Sequence, residues 1–275
     1  MYKVDGLSKL SDYASVLGVA NPEIDCKITS IKFDSRFAKN NDLFIPLKGQ
    51  KFNGEDFTDE ALNNGAAVIT QKNLNGSSLK VKNVYKCLLK LAKKNLENIR
   101  PKIVFITGSF GKTTIKDMLK HHLGDKCHCS KENENNEFGI PFTILSMPTD
   151  TKYLVVECGA RQKNDFDLIS RNLFCDIFIL TNIAANHLES FGNLENIVKT
   201  KIKLRNCLTN KKNFIDGRKI LESNFQLHNK KIVDTTIKLL GIADTFKHNS
   251  YIPTKGRGNR INKLNGQIID QTYNS

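Results

Sequence analysis

Two glycines three residues apart, Gly108 and Gly111, are followed directly by Lys112, Thr113 and Thr114. Glycines let backbone N–H groups close around phosphate oxygens, a lysine at a helix start neutralises charge, and a neighbouring hydroxyl can hold Mg²⁺. The spacing G-x-x-G-K-T, with Ser109 as its second residue, is shorter than the common eight-residue phosphate-loop pattern. Its force therefore rests on the flanking residues. Ile103, Val104, Phe105, Ile106 and Thr107 form a short apolar or β-branched run, as a strand buried on both faces of a parallel sheet requires. Beyond the loop, Ile115, Met118, Leu119 and Leu123 recur at helical spacing. Segment 102–123 thus reads as strand, phosphate loop and helix, a grip for a nucleotide. The bland alternative is a glycine turn beside a surface lysine.

Further polar groups fall where a parallel sheet would gather them. Strand–helix alternation continues past the loop, with strands expected at 153–156 and 176–180 and helices at 165–171 and from 194 to about 207. Ligands of such sheets collect at the strands' carboxyl ends. Glu157 follows the first of these strands, and Asn182 and His187 follow the second, so all three are expected near the phosphate loop. Taken singly they say less: Glu157 is an ordinary strand-end charge, His187 a satisfied histidine, Lys201 a solvated helix lysine. Cys127, His128 and Cys129, with His121 and His122 upstream, offer soft ligands. A C-x-C pair lacks the two-residue gap usual in structural zinc sites, and no metal is expected there.

The elements around these residues give an α/β chain of two domains. In the first, strands are expected at 28–33, 42–47 and 66–70, with helices at about 56–63, stopped by Gly65, and at 84–96. Between the first two strands lie Asp34, Ser35 and Arg36, where Asp34 and Arg36 either pair across a turn or touch a substrate. Arg100-Pro101 breaks the second helix, which puts the boundary between residues 1–100 and 101–275. Past Asn206 the signal weakens: segment 210–231 is polar and poorly periodic, a helix is expected over 232–242, and the tail reads as a turn, a hairpin and a final buried strand at 267–269.

Composition narrows the classes. A chain of 275 residues, 39% hydrophobic and 25% charged, suits a globular protein of about two domains. No apolar run approaches the roughly 20 residues that span a bilayer, and the first residues lack the hydrophobic block of a secretory signal, so the cytoplasm is expected and a membrane partner is not. Seven cysteines without a CxxC pair suit a reducing compartment. The net charge of +14 would suit nucleic acid, but the lysines are scattered in pairs such as Lys93-Lys94, Lys211-Lys212 and Lys230-Lys231, without interleaved aromatics. A solvated basic surface that also suits a phosphate-rich small substrate is preferred.

Four stretches, TGSFGKTT, NENNEFGIP at 133–141, ECGA at 157–160 and TNIAANHLESFGNLENIVKTK at 181–201, together resemble the Mur ligases of peptidoglycan synthesis, and in the same order. The NNEFGIP and HLESFG wording is most similar to the member that adds D-alanyl-D-alanine to UDP-N-acetylmuramoyl-tripeptide. DSR and LFIPLKGQKFNGEDF resemble its N-terminal uridine-nucleotide domain. The resemblance is strong over 28–204 and returns at 255–275, where KGRG and IIDQTYN are similar to the end of the family's central domain.

This resemblance implies a small N-terminal α/β domain for the UDP-precursor and a phosphate-loop ATPase-type central domain with a mostly parallel sheet. It implies ATP and Mg²⁺, and a reaction in which ATP activates a carboxylate as an acyl phosphate for attack by an amine. Gly108, Ser109, Gly111, Lys112, Thr113, Thr114, Asn182 and Arg257 would bind the nucleotide. Thr113, Glu157, His187 and Lys201 would hold metal, Lys201 as a carbamate, a hard oxygen donor where a bare ammonium would repel Mg²⁺. Lys112, His187 and Lys201 are the implied catalytic residues, and Asp34, Ser35, Arg36, Lys48, Asn135 and Asn136 the substrate contacts, although Asn135 and Asn136 could equally cap the next helix.

The family also implies a third, C-terminal domain, absent from this sequence, and a longer stretch after about residue 204; Arg161 and Lys203 stand where it carries a small polar residue and a Glu. Three readings follow: a ligase working alone or with a separately encoded C-terminal part, a truncated relative that binds nucleotide or UDP-precursor without ligating, and a basic nucleic-acid-binding ATPase.

Overall fold

The structure, a computed structural model, describes residues 1–49, 52–131, 134–186, 188–222, 224–243, 251, 259–263 and 266–270. Two compact units divide the chain. The first comprises Met1–Pro101 with Pro141–Thr151 and Arg171–Leu173, and the second Lys102–Ile140, Lys152–Ser170 and Phe174–Ser275.

In the first unit the elements are α1 (Leu10–Leu17), β1 (Ser30–Lys32), β2 (Asp42–Phe44), α2 (Thr58–Asn63), β3 (Ala67–Thr70), β4 (Ser78–Lys80) and α3 (Val84–Ile99). The four strands pair in parallel in the order β1-β2-β3-β4. Both of the first two strands are shorter than their apolar runs. Pro46 has no N–H for a ladder, so Ile45 and Leu47 stay buried after β2 has ended. A 3-10 turn, Gly54–Phe57, precedes α2. Asn83 caps α3 by accepting from the Lys86 N–H at 2.8 Å, and Arg100 ends it at a φ of 55° before Pro101. Buried Asn95 explains why Pro141–Thr151 belongs to this unit: it accepts from the Asp5 N–H and donates to the Ile144 carbonyl, both at 2.8 Å.

The second unit contains β5 (Lys102–Thr107), α4 (Lys112–Leu123), β6 (Cys127–Cys129), the start of α5 (Gly139–Leu145), β7 (Tyr153–Glu157), most of α6 (Asp167–Asn172), β8 (Ile177–Leu180), α7 (Leu188–Phe191), α8 (Leu194–Ile202), β9 (Phe214–Asp216), α9 (Phe225–Leu239), β10 (Asn259–Lys263) and β11 (Gly266–Asp270). Its main sheet is entirely parallel, in the order β6-β7-β5-β8-β9, with β5 at the centre. Val104, Ile106, Val155, Ile177 and Ile179 on one face pack with Ile115, Met118 and Leu119 of α4 and Ile232, Val233 and Ile237 of α9. The helix expected to reach Cys207 tightens into a 3-10 turn after Ile202.

The polar segment 210–231 holds β9 and the first turns of α9, so the helix expected over 232–242 begins seven residues earlier, at Phe225. β9 buries only Ile215, too short a pattern to read as a strand. Along α9 the buried positions are Asn229, Ile232, Val233, Thr236 and Ile237, a helical stripe whose two polar members interrupt the hydrophobic signal. The tail forms the expected hairpin, β10 with β11 antiparallel. The burial of its last strand lies outside the described residues, as does KGRG. Among the described residues no helix is long and apolar enough to cross a membrane, and all seven cysteines are free.

The central position of β5 makes a quantitative expectation. Phe105→Ala, at a fully buried position, costs about 3–5 kcal/mol, whereas Leu221→Ala, 89% exposed, stays within about 0.5 kcal/mol. Urea unfolding followed by circular dichroism checks both.

Candidate functional site

The loop between β5 and α4 is shaped by two glycines. Gly108 has a φ of 150°, and a Cβ there would stand 1.9 Å from Thr181 Oγ1, so only glycine lets the loop pass β8. Gly111 takes the left-handed conformation, φ 81°, just before α4 begins at Lys112. The residues after β8 hold the loop in place: Ser109 N–H donates to the Asn182 carbonyl at 3.0 Å, Phe110 N–H to Asn182 Oδ1 at 2.8 Å, and Thr181 Oγ1 to the Phe110 carbonyl at 2.5 Å. Ser109 Oγ accepts from the Ala184 N–H at 2.8 Å. Asn182 is thus a strut of the loop, contacting its backbone. The sequence expectation had it binding the nucleotide.

Parallel register brings the other groups to the same sheet end. Ile106 of β5 stands beside Glu157 of β7, and Thr107 beside Leu180 of β8. Glu157 is 2% exposed, unlike an ordinary surface charge. Its Oε2 accepts from Thr113 Oγ1 at 2.8 Å, its Oε1 from Asn135 Nδ2 at 3.2 Å, and its backbone N–H donates to Ser130 Oγ at 2.9 Å. Thr113 sits in the first turn of α4 and is itself buried; Thr114 beside it is half-buried.

Lys112 Nζ donates to the carbonyls of Gly108 at 2.9 Å and Ser109 at 3.3 Å. Lys201, on α8, donates to the same Gly108 carbonyl at 3.3 Å and is only 5% exposed, which overturns its reading as a solvated helix lysine. Burial, and behind it the charge of Lys112, push the Lys201 pKa from the ordinary lysine range down to about 8, against the opposing effect of Asp165. Lys203, two residues on, pairs with Asp167 instead of facing the loop. Chemically, this set of groups can bind an anion on the loop beside a hard cation at the hydroxyl and carboxylate.

A wall of the site was missed in the sequence. The first turns of α9 lie over the loop, so that a Cβ on Gly111 would meet Asn229 Oδ1 at 3.0 Å and Phe225 Cζ at 3.2 Å. Asn229 is 3% exposed, yet its Oδ1 has no hydrogen-bond partner among the described residues. His228 stacks on Phe225, with ring centroids 6.1 Å apart, and its Nε2 lies 2.9 Å from the Gly217 carbonyl at the end of β9. Only the asparagine cap at Asn224, which accepts from the Gln226 N–H at 2.7 Å, signalled this helix start.

The remaining candidates divide. Asn136 caps α5, its Oδ1 accepting from the Gly139 N–H at 2.8 Å. In the first unit Arg36 forms a two-pronged pair with Asp34, at 2.6 and 2.9 Å, across a 3-10 turn, and Ser35 Oγ donates to Glu60 Oε2 at 2.6 Å. Lys48 is exposed, bridged to Asn53 in the loop after β2. His187 and Arg257 lie outside the described residues. Among the described residues no group of three or more His, Cys, Asp or Glu is assembled for a metal.

Comparison with known proteins adds an independent line. Residues 106–262 match the Mur ligase middle domain, and residues 27–103 match a second model, Mur ligase family, catalytic domain. A UDP-N-acetylmuramoyl-tripeptide--D-alanyl-D-alanine ligase from Bacillus subtilis is 35% identical over 199 residues, covering 69% of this chain and 44% of that enzyme. Its namesake from Haemophilus influenzae is 29% identical over 265 residues, covering 93% and 57%. The chain spans about half the length of the curated relatives it matches. Among solved structures, the MurF ligase from Thermotoga maritima in complex with ADP aligns with a TM-score of 0.78 at 27% identity, over 90% of this chain and 71% of that one. MurF from Acinetobacter baumannii, at 22% identity and a TM-score of 0.81 over 97% and 73%, shares the fold. With the middle-domain model matched across more than half of its residues, in the unit that carries the phosphate loop, Glu157 and Lys201, the chain belongs to the Mur ligase family.

Proposed function

We propose that this chain carries the UDP-precursor-binding part, residues 1–100, and the ATP-binding part, residues 101–275, of a ligase that joins D-alanyl-D-alanine to UDP-N-acetylmuramoyl-tripeptide. The observation that carries the reading is the buried Thr113–Glu157 hydrogen bond of 2.8 Å, directly beside two lysines that converge on Gly108. The relatives named for this activity support it, and the ADP held by a similar structure supports ATP as the nucleotide. The cytoplasm, where such a precursor would be met, is the proposed compartment.

The residues suit a magnesium nucleotide. A hydroxyl and a carboxylate are the hard oxygen donors Mg²⁺ prefers. Lys112 Nζ is held on the loop by the carbonyls of Gly108 and Ser109, where a phosphate would lie, and the uncommitted Oδ1 of Asn229 looks onto Gly111. ATP supplies the phosphoryl group that turns a poor electrophile, the tripeptide carboxylate, into an acyl phosphate that an amine can attack. The chain's own work is positioning and charge neutralisation, which dominate phosphoryl transfer. Backbone N–H groups at the start of α4 would receive the phosphates, Lys112 would neutralise the outermost ones, and Thr113 with Glu157 would hold the cation, His187 being the further ligand implied by the family. Asn182 and Thr181 keep the loop from collapsing.

Lys201 fits a carbamate. With a pKa of about 8, roughly a tenth of it is the neutral amine at pH 7. The nitrogen adds to CO₂ and loses a proton, which replaces a repulsive ammonium by an anionic oxygen donor.

Three outcomes are expected. Phosphate release from ATP should require both UDP-N-acetylmuramoyl-tripeptide and D-alanyl-D-alanine; precursor binding without turnover would favour a non-ligating relative, and stimulation by RNA or DNA a nucleic-acid ATPase. Lys112→Ala should weaken ADP binding about 10–100-fold in calorimetry, the worth of a charge-assisted hydrogen bond; unchanged affinity would place the nucleotide elsewhere. In CO₂-free buffer, Lys201 binds its proton less readily when folded, near pH 8, than when unfolded, near 10.5. The unfolded chain therefore holds more protons between these values, and stability should rise with pH across that window. Lys201→Met should flatten the rise in chemical-denaturation profiles.

A further inference from the structure

Strand β6 brings two thiols together that the nucleotide site does not use. Side chains two apart on a strand share a face, so Cys127 and Cys129 point the same way while His128 points to the other. Their sulfurs lie 3.6 Å apart. Cys127 is 2% exposed and Cys129 half-buried, so only the second is open to a reagent. Among the described residues β6 is the edge strand of its sheet and pairs with β7 alone, which leaves its outer side room to pucker.

Two lysines of α4 set the charge around the pair. Lys116, a residue 4% exposed, donates from Nζ to the Ser130 carbonyl at 3.0 Å, and Lys120 Nζ donates to the Cys127 carbonyl. Asp117 is the opposing charge. This surrounding suits a thiolate and disfavours a bound cation, and no third His, Cys, Asp or Glu joins the pair among the described residues. The hydrogen bond from Cys127, then the nearby Lys116 and Lys120, hold the Cys129 thiol below the ordinary range against burial; the same bond and burial push Cys127 well above it.

We infer that Cys127 and Cys129 form a thiol–disulfide exchange site for small-molecule disulfides, with Cys129 as the attacking sulfur and Cys127 as the resolving one. The Cys129 thiolate attacks one sulfur of a disulfide RSSR and expels RS⁻, leaving a mixed disulfide on Cys129. Cys127 then loses its proton and attacks Cys129 Sγ, and the second RS⁻ leaves. The two cysteines give up two electrons and two protons, and RSSR becomes two RSH. Two residues of extended strand span about 6.6 Å, within the roughly 4.4–6.8 Å that disulfide Cα atoms allow, so the bond closes with a local pucker of the free edge.

The test incubates the full chain with glutathione disulfide and maps the products by mass spectrometry. Wild-type protein should yield a Cys127–Cys129 cross-link, reversed by dithiothreitol. Cys127→Ser should instead stop at one glutathionyl group on Cys129. Half-exposed Cys26, whose thiol burial pushes above the ordinary range, is the internal reference. Cys129 should react several-fold faster than Cys26, because its larger thiolate fraction outweighs the lower nucleophilicity of a more acidic thiol. Wild-type protein that carries only mixed disulfides, or Cys129 reacting no faster than Cys26, would overturn the assignment. The cross-link is read in unmutated protein, so a misfolded variant leaves it decisive.

Discussion

Two ammonium groups on one carbonyl oxygen govern the second unit. Lys112 and Lys201 both donate to Gly108, and Lys201 does so with almost no access to water. Like charges this close in a buried setting are costly unless an anion joins them or one charge is given up. A phosphate on the loop would answer the first need and the proposed carbamate on Lys201 the second, while Asp165 is the opposing charge already present.

The scaffold exists to hold that tension in register. A parallel sheet sends every strand's carboxyl end to one edge, and β7 and β8 flank β5 so that Glu157 and Asn182 arrive on either side of the loop. Gly108 permits the approach, because any Cβ would strike Thr181. The polar residues after β8 bind the loop's backbone, and α9 closes over its glycine. Each contact fixes the phosphate loop without touching a phosphate; the N–H groups of Ser109 and Phe110 are committed to Asn182, and those of the first turn of α4 are the ones an anion would use.

Most of this was legible where local pattern and tertiary role agree. The run from Ile103 to Thr107 reads as a doubly buried strand, and G-x-x-G-K-T-T as the turn that opens a helix, as they are in the fold. Glu157 was placed correctly because strand ends in a parallel sheet have one address. What stayed hidden depends on distant partners. Asn95 ties Pro141–Thr151 to the first unit through its hydrogen bond to the Ile144 carbonyl, and nothing near Asn95 announces Ile144 as its partner. Asn229 and Thr236 are buried on the stripe of α9 although their side chains are polar, so hydrophobic periodicity does not mark them. Asp34 and Arg36 were ambiguous on sequence and satisfy each other in the fold, a pairing that substrate would have to open or use as it stands.

The central claim is that a divalent cation and a nucleotide meet between Thr113 and Glu157. Anomalous scattering from Mn²⁺, in crystals grown with a non-hydrolysable ATP analogue, measures it most directly. The account predicts a manganese peak bound by Thr113 Oγ1 or a Glu157 carboxylate oxygen, with the analogue's phosphates on the loop, at the N–H groups that start α4. Phosphates bound away from that loop, or manganese that touches neither side chain, would contradict it.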